Sequence, residues 1–331
     1  MMELTDLQPT SAPLPWQAAI WSRFKQQLSG EQLPHALLLA GPADIGKSRL
    51  ALALARLLLC SAPSGGLNCG ECHACQLSAR GSHGDLRWLQ PEDKSRVIKI
   101  DQVRAAVGFA NQTANFGLRK VLVLCPADSM NANAANALLK SLEEPAPGTY
   151  LILCCDRLHG VPATIRSRCQ IVKLAQPGQA ASIAWLEALT GSAEHSSRLL
   201  EIAAGRPLLA EQLYREDSAD ALAAIRAALA GVLTGKLPAN EVVNLLCGIG
   251  TEAFLVHLQA ELLALLRVQS GPSLHKPGVK AAFGLSDEVN RLQRAVAAGA
   301  NPNGQLLVES LLARCQRELG SGLHSDSISQ W

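Results

Sequence analysis

The chain has 331 residues, enough for two or three domains with a sizeable core. Apolar residues make up 48% of it and aromatic residues only 4%, a composition rich in alanine and leucine that favours packed helices over a β-sandwich. The net charge is only +2. A protein that binds nucleic acid tightly by itself usually has a strongly basic surface, so this charge does not indicate such binding.

Targeting signals are not evident in the sequence. The first residues include acids and no apolar run, so we expect no signal peptide. No uncharged apolar run approaches the length of a membrane span, so we expect a cytoplasmic protein with no membrane partner. In that reducing compartment the ten cysteines should be free, metal-bound or catalytic rather than paired in disulfides.

Strand-like and helix-like segments alternate over the first half of the chain. Short apolar runs predict buried strands at residues 36–40, 97–100, 121–124 and 150–154. Helical spacing predicts helices at residues 16–28, 49–60, 102–109 and 132–144. This alternation predicts a parallel, doubly wound α/β domain that ends near residue 172.

Strand signals stop after residue 172. Residues 173–212 have the pattern of a few short helices, which predicts a small helical domain. Residues 213–320 are rich in alanine and leucine with helical periodicity, interrupted by a loop at 271–278, and predict an all-helical domain. The polar, serine-rich residues 321–331 predict a disordered tail.

Residues 41–48 read GPADIGKS, a complete phosphate-binding loop (P-loop) pattern between a predicted strand and a predicted helix. Gly41 and Gly46 would let backbone N–H groups approach phosphates closely. Lys47 would bind the β and γ phosphates of ATP, and the Ser48 hydroxyl would bind Mg²⁺. An ordinary glycine turn that caps a helix is the alternative interpretation.

The predicted strand at residues 121–124 lacks the acids that a P-loop ATPase uses to hold Mg²⁺ and to orient water. Cys125 and Pro126 stand in their place, and a thiol is a poor ligand for Mg²⁺. The nearest acid, Asp128, lies past the strand and is interpreted as a turn or cap residue. The sequence therefore predicts no ATP hydrolysis by this chain and leaves open whether it holds ATP and Mg²⁺.

Four cysteines follow the pattern C-x8-C-x2-C-x2-C: Cys60, Cys69, Cys72 and Cys75. Four thiolates at this spacing suit a closed tetrahedral zinc site with no open position for chemistry, so we expect structural Zn²⁺. Free thiols or a redox pair are the alternatives. His73 and His83 lie nearby but are not needed as ligands, because four sulfurs saturate the ion.

Two further motifs carry a family resemblance. Residues 136–145 read NALLKSLEEP, and residues 164–169 read TIRSRC. Together with the cysteine insertion, and with PW at 15–16 and HALL at 35–38, they resemble the bacterial clamp-loader group of AAA+ proteins. These motifs are highly specific, and the match spans residues 15–210.

The resemblance implies an AAA+ domain over residues 1–172 with a zinc module at 60–75, a helical lid at 173–212 and a helical collar at 213–320. It implies a subunit of a DNA polymerase holoenzyme, placed with delta and gamma/tau subunits in a hetero-pentameric ring that loads a sliding clamp on primed DNA during replication. Within that group the missing acids point to a stator that is itself neither a polymerase nor a competent ATPase. An active ATPase of the gamma/tau type is the alternative.

The S-R-C motif of that family falls on Ser167, Arg168 and Cys169. The resemblance therefore implies that Arg168 is an arginine finger, catalytic in trans. Its guanidinium would neutralise charge on a γ-phosphate bound by the neighbouring subunit. An interface salt bridge without catalytic weight is the alternative. Arg166 is interpreted as structural.

The lid of motor subunits in that family carries a nucleotide-sensing arginine, and this sequence has Leu208 there. Arg206 is offset by two residues, so we expect it to face another direction on the helix. Two other classes fit less well. A P-loop kinase would need an arginine-rich lid and a catalytic acid, and a zinc-dependent nucleic-acid-binding module would need basic residues that 68–76 lack.

Overall fold

A computed structural model describes residues 7–92, 95, 97–269, 275–297 and 300–319. The chain divides into two compact units, Met1–Arg215 and Glu216–Trp331. The predicted tail at 321–331 and the first half of the predicted loop at 271–278 lie outside the described residues. None of the helices in the described part of the chain combines the length and apolar character needed to cross a membrane.

A parallel sheet forms the centre of the first unit. Its strands are β1 (Ala36–Ala40), β2 (Leu86–Leu89), β3 (Lys120–Leu124), β4 (Thr149–Cys155) and β5 (Gln170–Lys173). Among the described residues the strand order is β2-β3-β4-β1-β5, and every neighbouring pair is parallel. The predicted parallel α/β domain is confirmed.

Helices surround this sheet and continue beyond it. They are α1 (Ala18–Ser29), α2 (Lys47–Leu59), α3 (His73–Ala79), α4 (Ile100–Ala110), α5 (Ala132–Glu143), α6 (Ala163–Arg166), α7 (Gln179–Thr190), α8 (Ala193–Ile202) and α9 (Pro207–Arg215). Single 3-10 turns occupy Pro15–Gln17, Ala127–Ser129 and Leu158–Gly160.

Alternate strand residues face opposite sides of the sheet, and both sides are covered. Leu38 and Leu122 pack with α4 and α5 on one side. Leu37 and Val121 pack with α1 and α2 on the other side. Burial on both faces explains why the inner strands are apolar at successive positions.

The sheet brings the carboxyl ends of β3, β4 and β1 to one edge. β4 pairs with β1 through Ala40 and Cys155, and β3 pairs with β4 through Leu124 and Leu153. In sheets of this kind ligands bind just beyond these strand ends. The residues that follow the three strands therefore form the candidate site.

The edge strands β2 and β5 were not predicted. Each has one neighbouring strand and is partly exposed, so it needs less apolar sequence, and β2 includes the exposed Arg87. The strand predicted at 97–100 is wrong. Ile98 makes only an isolated bridge with Met130, and Ile100 already begins α4.

The described residues of the second unit form helices joined by short connections, with no strand among them. Its helices are α10 (Ala219–Leu233), α11 (Ala239–Gly248), α12 (Thr251–Val268), α13 (Pro277–Ala297) and α14 (Gly304–Leu319). Leu229, Phe254, Leu285 and Leu312 lie in its core. The predicted helical character of this part of the chain is confirmed.

Candidate functional site

The P-loop connects β1 to α2. Its two glycines, Gly41 and Gly46, leave room for neighbouring residues to pack closely against the loop. A Cβ atom on Gly46 would lie 2.2 Å from Leu14 Cδ1, and Gly46 has a φ of +93°. A Cβ atom on Gly41 would lie 2.4 Å from the Leu174 carbonyl oxygen. The glycine pattern found in the sequence therefore has a steric basis in this fold.

The 3-10 turn before α1 holds the outer side of the P-loop. Trp16 Nε1 donates to the Ile45 carbonyl at 3.0 Å, and Gln17 Nε2 donates to the Gly46 carbonyl at 3.0 Å. These bonds satisfy loop carbonyls that would otherwise need water. The PW dipeptide of the family resemblance thus has a direct structural role.

Lys47 is buried, with 5% of its side chain exposed, and it bonds within its own chain. Its Nζ lies 2.7 Å from Asp156 Oδ1 and also donates to the Pro42 carbonyl. Asp156 directly follows β4 and is a site residue that no sequence motif predicted. Its position after a buried strand next to β1 was the signal that could have found it.

Ser48 faces a thiol at the end of β3. Its Oγ lies 3.4 Å from Cys125 Sγ, where an ATPase has a metal-binding acid. A hydrogen bond with Cys154 lowers the pKa of Cys125, against the opposing effect of burial. The hydroxyl expected to bind Mg²⁺ therefore has a sulfur neighbour that suits this ion poorly.

The carboxylate of Asp128 is hydrogen-bonded to the turn that follows β4. It accepts the backbone N–H groups of Asp156 at 3.2 Å and Arg157 at 3.3 Å, and its side chain is buried. The interpretation of Asp128 as a turn residue agrees with these bonds. They also fix the backbone that carries Asp156.

The tip of the P-loop is tied to the start of α9. Asp44 has a φ of +59°, and its Oδ2 lies 3.4 Å from Arg206 Nη1. The Leu208 N–H donates to the Asp44 carbonyl at 3.1 Å. Burial raises the pKa of Asp44, and the charge of Arg206 opposes that shift. Arg206 precedes α9, and its side chain reaches the P-loop, a contact that the sequence did not predict.

The structure brings the four predicted cysteines together, with all four sulfurs within 4.8 Å of one another. Three sulfur pairs lie 3.6, 3.9 and 3.9 Å apart: Cys60–Cys69, Cys60–Cys72 and Cys69–Cys75. A tetrahedral zinc with Zn–S bonds of about 2.3 Å requires sulfurs about 3.8 Å apart. The cluster therefore fits a four-thiolate metal site.

Burial and hydrogen-bond donors have opposite effects on the pKa values of the four thiols. The Cys69 N–H donates to Cys60 Sγ, and Asn68 Nδ2 donates to Cys75 Sγ, both at 3.3 Å. Burial raises the pKa of Cys60 to about 12. Burial also acts to raise the pKa of Cys72. Hydrogen bonds to its sulfur, of which that from Ser61 has the largest effect, outweigh burial and lower this pKa to about 5.

The two nearby histidines are not part of this cluster in the described residues. His73 is exposed on α3. His83 is buried, and its Nδ1 accepts the Asp85 N–H at 3.0 Å. Burial lowers the pKa of His83.

Arg56 on α2 joins the cysteine module to the rest of the unit. Only 1% of it is exposed. Its Nη1 donates to Ser11 Oγ at 2.7 Å, its Nε to Ser78 Oγ at 3.0 Å and its Nη2 to the Cys75 carbonyl at 3.4 Å. Burial lowers the pKa of Arg56, while the neighbouring cysteine thiols oppose this shift.

Arg168 lies in the short connection between α6 and β5, with 34% of its side chain exposed. Its Nε donates to Glu143 Oε1 at 2.6 Å, and Nη2 pairs with the same carboxylate. Its Nη1 donates to the Thr164 carbonyl at 2.9 Å and to Ser167 Oγ at 3.3 Å. The predicted finger is therefore held in place by its own chain.

Comparisons with known proteins agree on one family. The family model described as "DNA polymerase III, delta subunit" matches residues 16–178. The chain is 50% identical to DNA polymerase III subunit delta' of Pseudomonas aeruginosa over 203 residues, which are 60% of this chain and 61% of that relative. It is 30% identical to the Escherichia coli K12 subunit of the same name over 327 residues, covering 93% of this chain and 97% of that relative.

One solved structure supports the fold. A DNA polymerase III gamma subunit-related protein from Thermotoga maritima superposes with a TM-score of 0.50 at 17% identity, covering 90% of this chain and 99% of that chain.

Proposed function

The chain belongs to the family of DNA polymerase III delta-prime subunits, and on this premise we propose that it is a non-hydrolysing clamp-loader stator. It offers Arg168 to the ATP site of a neighbouring motor subunit. With delta and gamma/tau subunits it forms a ring that loads a sliding clamp on primed DNA. Residues 213–320, most of which lie in the unit Glu216–Trp331, are the collar through which the ring assembles, and residues 173–212 act as a lid within the first unit.

The observation that carries this proposal is that Arg168 is partly exposed and that its guanidinium is held by hydrogen bonds. A guanidinium acts on a neighbour's γ-phosphate only if it reaches the surface in a defined orientation. The Arg168 side chain is 34% exposed. Hydrogen bonds to Glu143 and to the Thr164 carbonyl fix its guanidinium. Part of the entropy cost of ordering a long side chain is therefore met before a partner arrives.

The P-loop supports the non-hydrolysing half of the proposal. Phosphoryl transfer depends on a correctly held Mg²⁺ and an oriented water. Ser48 faces Cys125 at 3.4 Å, and Asp128 is bonded to backbone N–H groups. These contacts disfavour the alternative of a gamma/tau-type ATPase, and we expect negligible ATP turnover by the isolated chain.

The four-cysteine cluster is proposed to hold one structural Zn²⁺. Three sulfur pairs separated by 3.6 to 3.9 Å, in a cluster whose four sulfurs all lie within 4.8 Å of one another, support zinc, and the closed donor set leaves no position for a substrate. The ion would fasten Cys60 at the end of α2 to Cys75 on α3.

The test is a ring reconstituted from its subunits with Arg168→Ala in this chain. An arginine finger contributes about a thousandfold or more to turnover at its site. We therefore expect turnover at the bordering ATP site to collapse and clamp loading to slow. Arg166→Ala is the matched control and should leave both rates near the wild-type values, once thermal unfolding shows that the variant is folded. Equal behaviour of the two variants would refute the finger role.

A further inference from the structure

We infer that Asp156 sets the phosphate affinity of the P-loop, because its carboxylate holds Lys47 as a bound phosphate would. A polyphosphate must displace this internal anion before it can bind. The inference rests on the proposed non-hydrolysing role and concerns binding at this chain's own P-loop, separately from Arg168.

The Lys47–Asp156 pair is enforced by the sheet. Cys155 pairs with Ala40 across β4 and β1, and the Gly41 N–H donates to the Cys155 carbonyl at 3.2 Å. The residue after β4 is therefore fixed beside the first residue of the P-loop. Nζ of Lys47 and Oδ1 of Asp156 meet at 2.7 Å as a consequence.

Burial makes this contact consequential. Lys47 is 5% exposed and Asp156 is 44% exposed. A buried ammonium needs a compensating anion, and the half-exposed carboxylate supplies one without itself being fully desolvated. The backbone N–H of Asp156 donates to the buried Asp128, so the turn that carries the carboxylate is also held.

The charges around the loop are already balanced. Two cations, Lys47 and Arg206, lie against two carboxylates, Asp156 and Asp44. A polyphosphate entering this site meets two negative charges and a lysine that already contacts Asp156 and the Pro42 carbonyl. In a nucleotide-binding P-loop the lysine is available to the β and γ phosphates. The P-loop of this chain therefore binds anions weakly, although its sequence motif is intact.

Asp156 has one competing role, as the Mg²⁺ ligand that β3 lacks. A carboxylate at this edge suits Mg²⁺ chemically. The two roles predict opposite results, because removal of a blocking anion strengthens phosphate binding and removal of a metal ligand weakens Mg²⁺–nucleotide binding. The pairing with Lys47 favours the blocking role.

The experiment is calorimetric titration of the full-length chain with pyrophosphate, and with ADP in the presence and absence of Mg²⁺. We expect Asp156→Asn to bind Mg²⁺-free pyrophosphate about tenfold or more tightly than wild type, since one repulsive charge is lost and Lys47 is released. Asp156→Ser is a second charge-free variant in case the first does not fold. Asp156→Glu keeps the charge and should bind no better than wild type.

Two controls make the result specific. Asp101→Asn removes a charge from an 86% exposed position on α4 and should leave the affinity unchanged. Adding Lys47→Ala to Asp156→Asn should abolish the gain. Unchanged pyrophosphate binding in the charge-free variants, or weaker Mg²⁺–ADP binding, would overturn the inference. Either result would leave the role of Arg168 intact, because that role is measured by the turnover of a neighbouring subunit.

Discussion

Glu143 and Arg168 form an ion pair, and we expect the proposed finger to depend on it for its orientation. Glu143 is the last residue of α5, and its Oε1 accepts from Arg168 Nε at 2.6 Å. An exposed ion pair of this kind contributes little to stability. Its effect on orientation is larger, since a displaced catalytic group loses much of its rate advantage.

We expect Glu143→Ala to lower the turnover number of the reconstituted ring about tenfold at the bordering site, with a smaller change in KM for ATP. Glu144→Ala is the matched control, because Glu144 is the next residue and is also exposed. Glu143→Asp should restore part of the rate. If Glu143→Ala and Glu144→Ala give the same kinetics, Glu143 does not position the finger.

Asp156 and Arg206 show why some individual site residues could not be predicted from the sequence. Lys47 and Arg168 belong to motifs whose spacing is visible in the sequence, so they could be predicted. Asp156 and Arg206 act through contacts with Lys47 and Asp44, far away along the chain. Local patterns carry no information on such pairs until the strand order is known.

The cysteine module is joined to the rest of the first unit through one buried side chain, Arg56. Arg56 donates to the lead-in segment at Ser11 and to α3 at Ser78, so it joins three parts of the first unit. Removal of a buried, hydrogen-bonded charge leaves several acceptors without a donor.

We expect Arg56→Leu to lower the free energy of unfolding by about 3 kcal/mol or more. Arg23→Leu, at an exposed position of α1, is the control and should change it by less than about 0.5 kcal/mol. Urea unfolding followed by circular dichroism measures both. A loss for Arg56→Leu no larger than that of the control would show that the module is held by other contacts.

Zinc gives a second prediction for this element. The purified chain should contain about one equivalent of Zn²⁺ by elemental analysis, because the sulfur separations match a four-thiolate site. Cys72→Ser should lose the metal and lower the melting temperature, while Cys247→Ser on α11 should do neither. A folded wild-type sample without metal would contradict the assignment.

The elements themselves were predicted unevenly, for a physical reason. The inner strands β1, β3 and β4 are buried on both faces and have continuous apolar sequence, so they could be located. The edge strands β2 and β5 are partly exposed and carry polar residues, so their sequence gave little signal.

At the scale of the whole molecule, two nucleotide-related features lie on one α/β unit with different roles. The P-loop is bonded to Asp156, Cys125 and Arg206, all on the same chain. Arg168 is partly exposed and is fixed by Glu143. This organisation supports the proposal that the chain contributes to ATP hydrolysis through a neighbour's site and not through its own.

The most direct test compares two variants in the same reconstituted ring, Lys47→Ala and Arg168→Ala, by steady-state ATPase in the presence of clamp and primed DNA. We predict that the Lys47→Ala ring keeps the wild-type rate, because the proposed role assigns no hydrolysis to this chain's P-loop. The Arg168→Ala ring should lose the turnover of the site that this subunit borders. A ring that loses activity with Lys47→Ala and keeps it with Arg168→Ala would contradict the stator role.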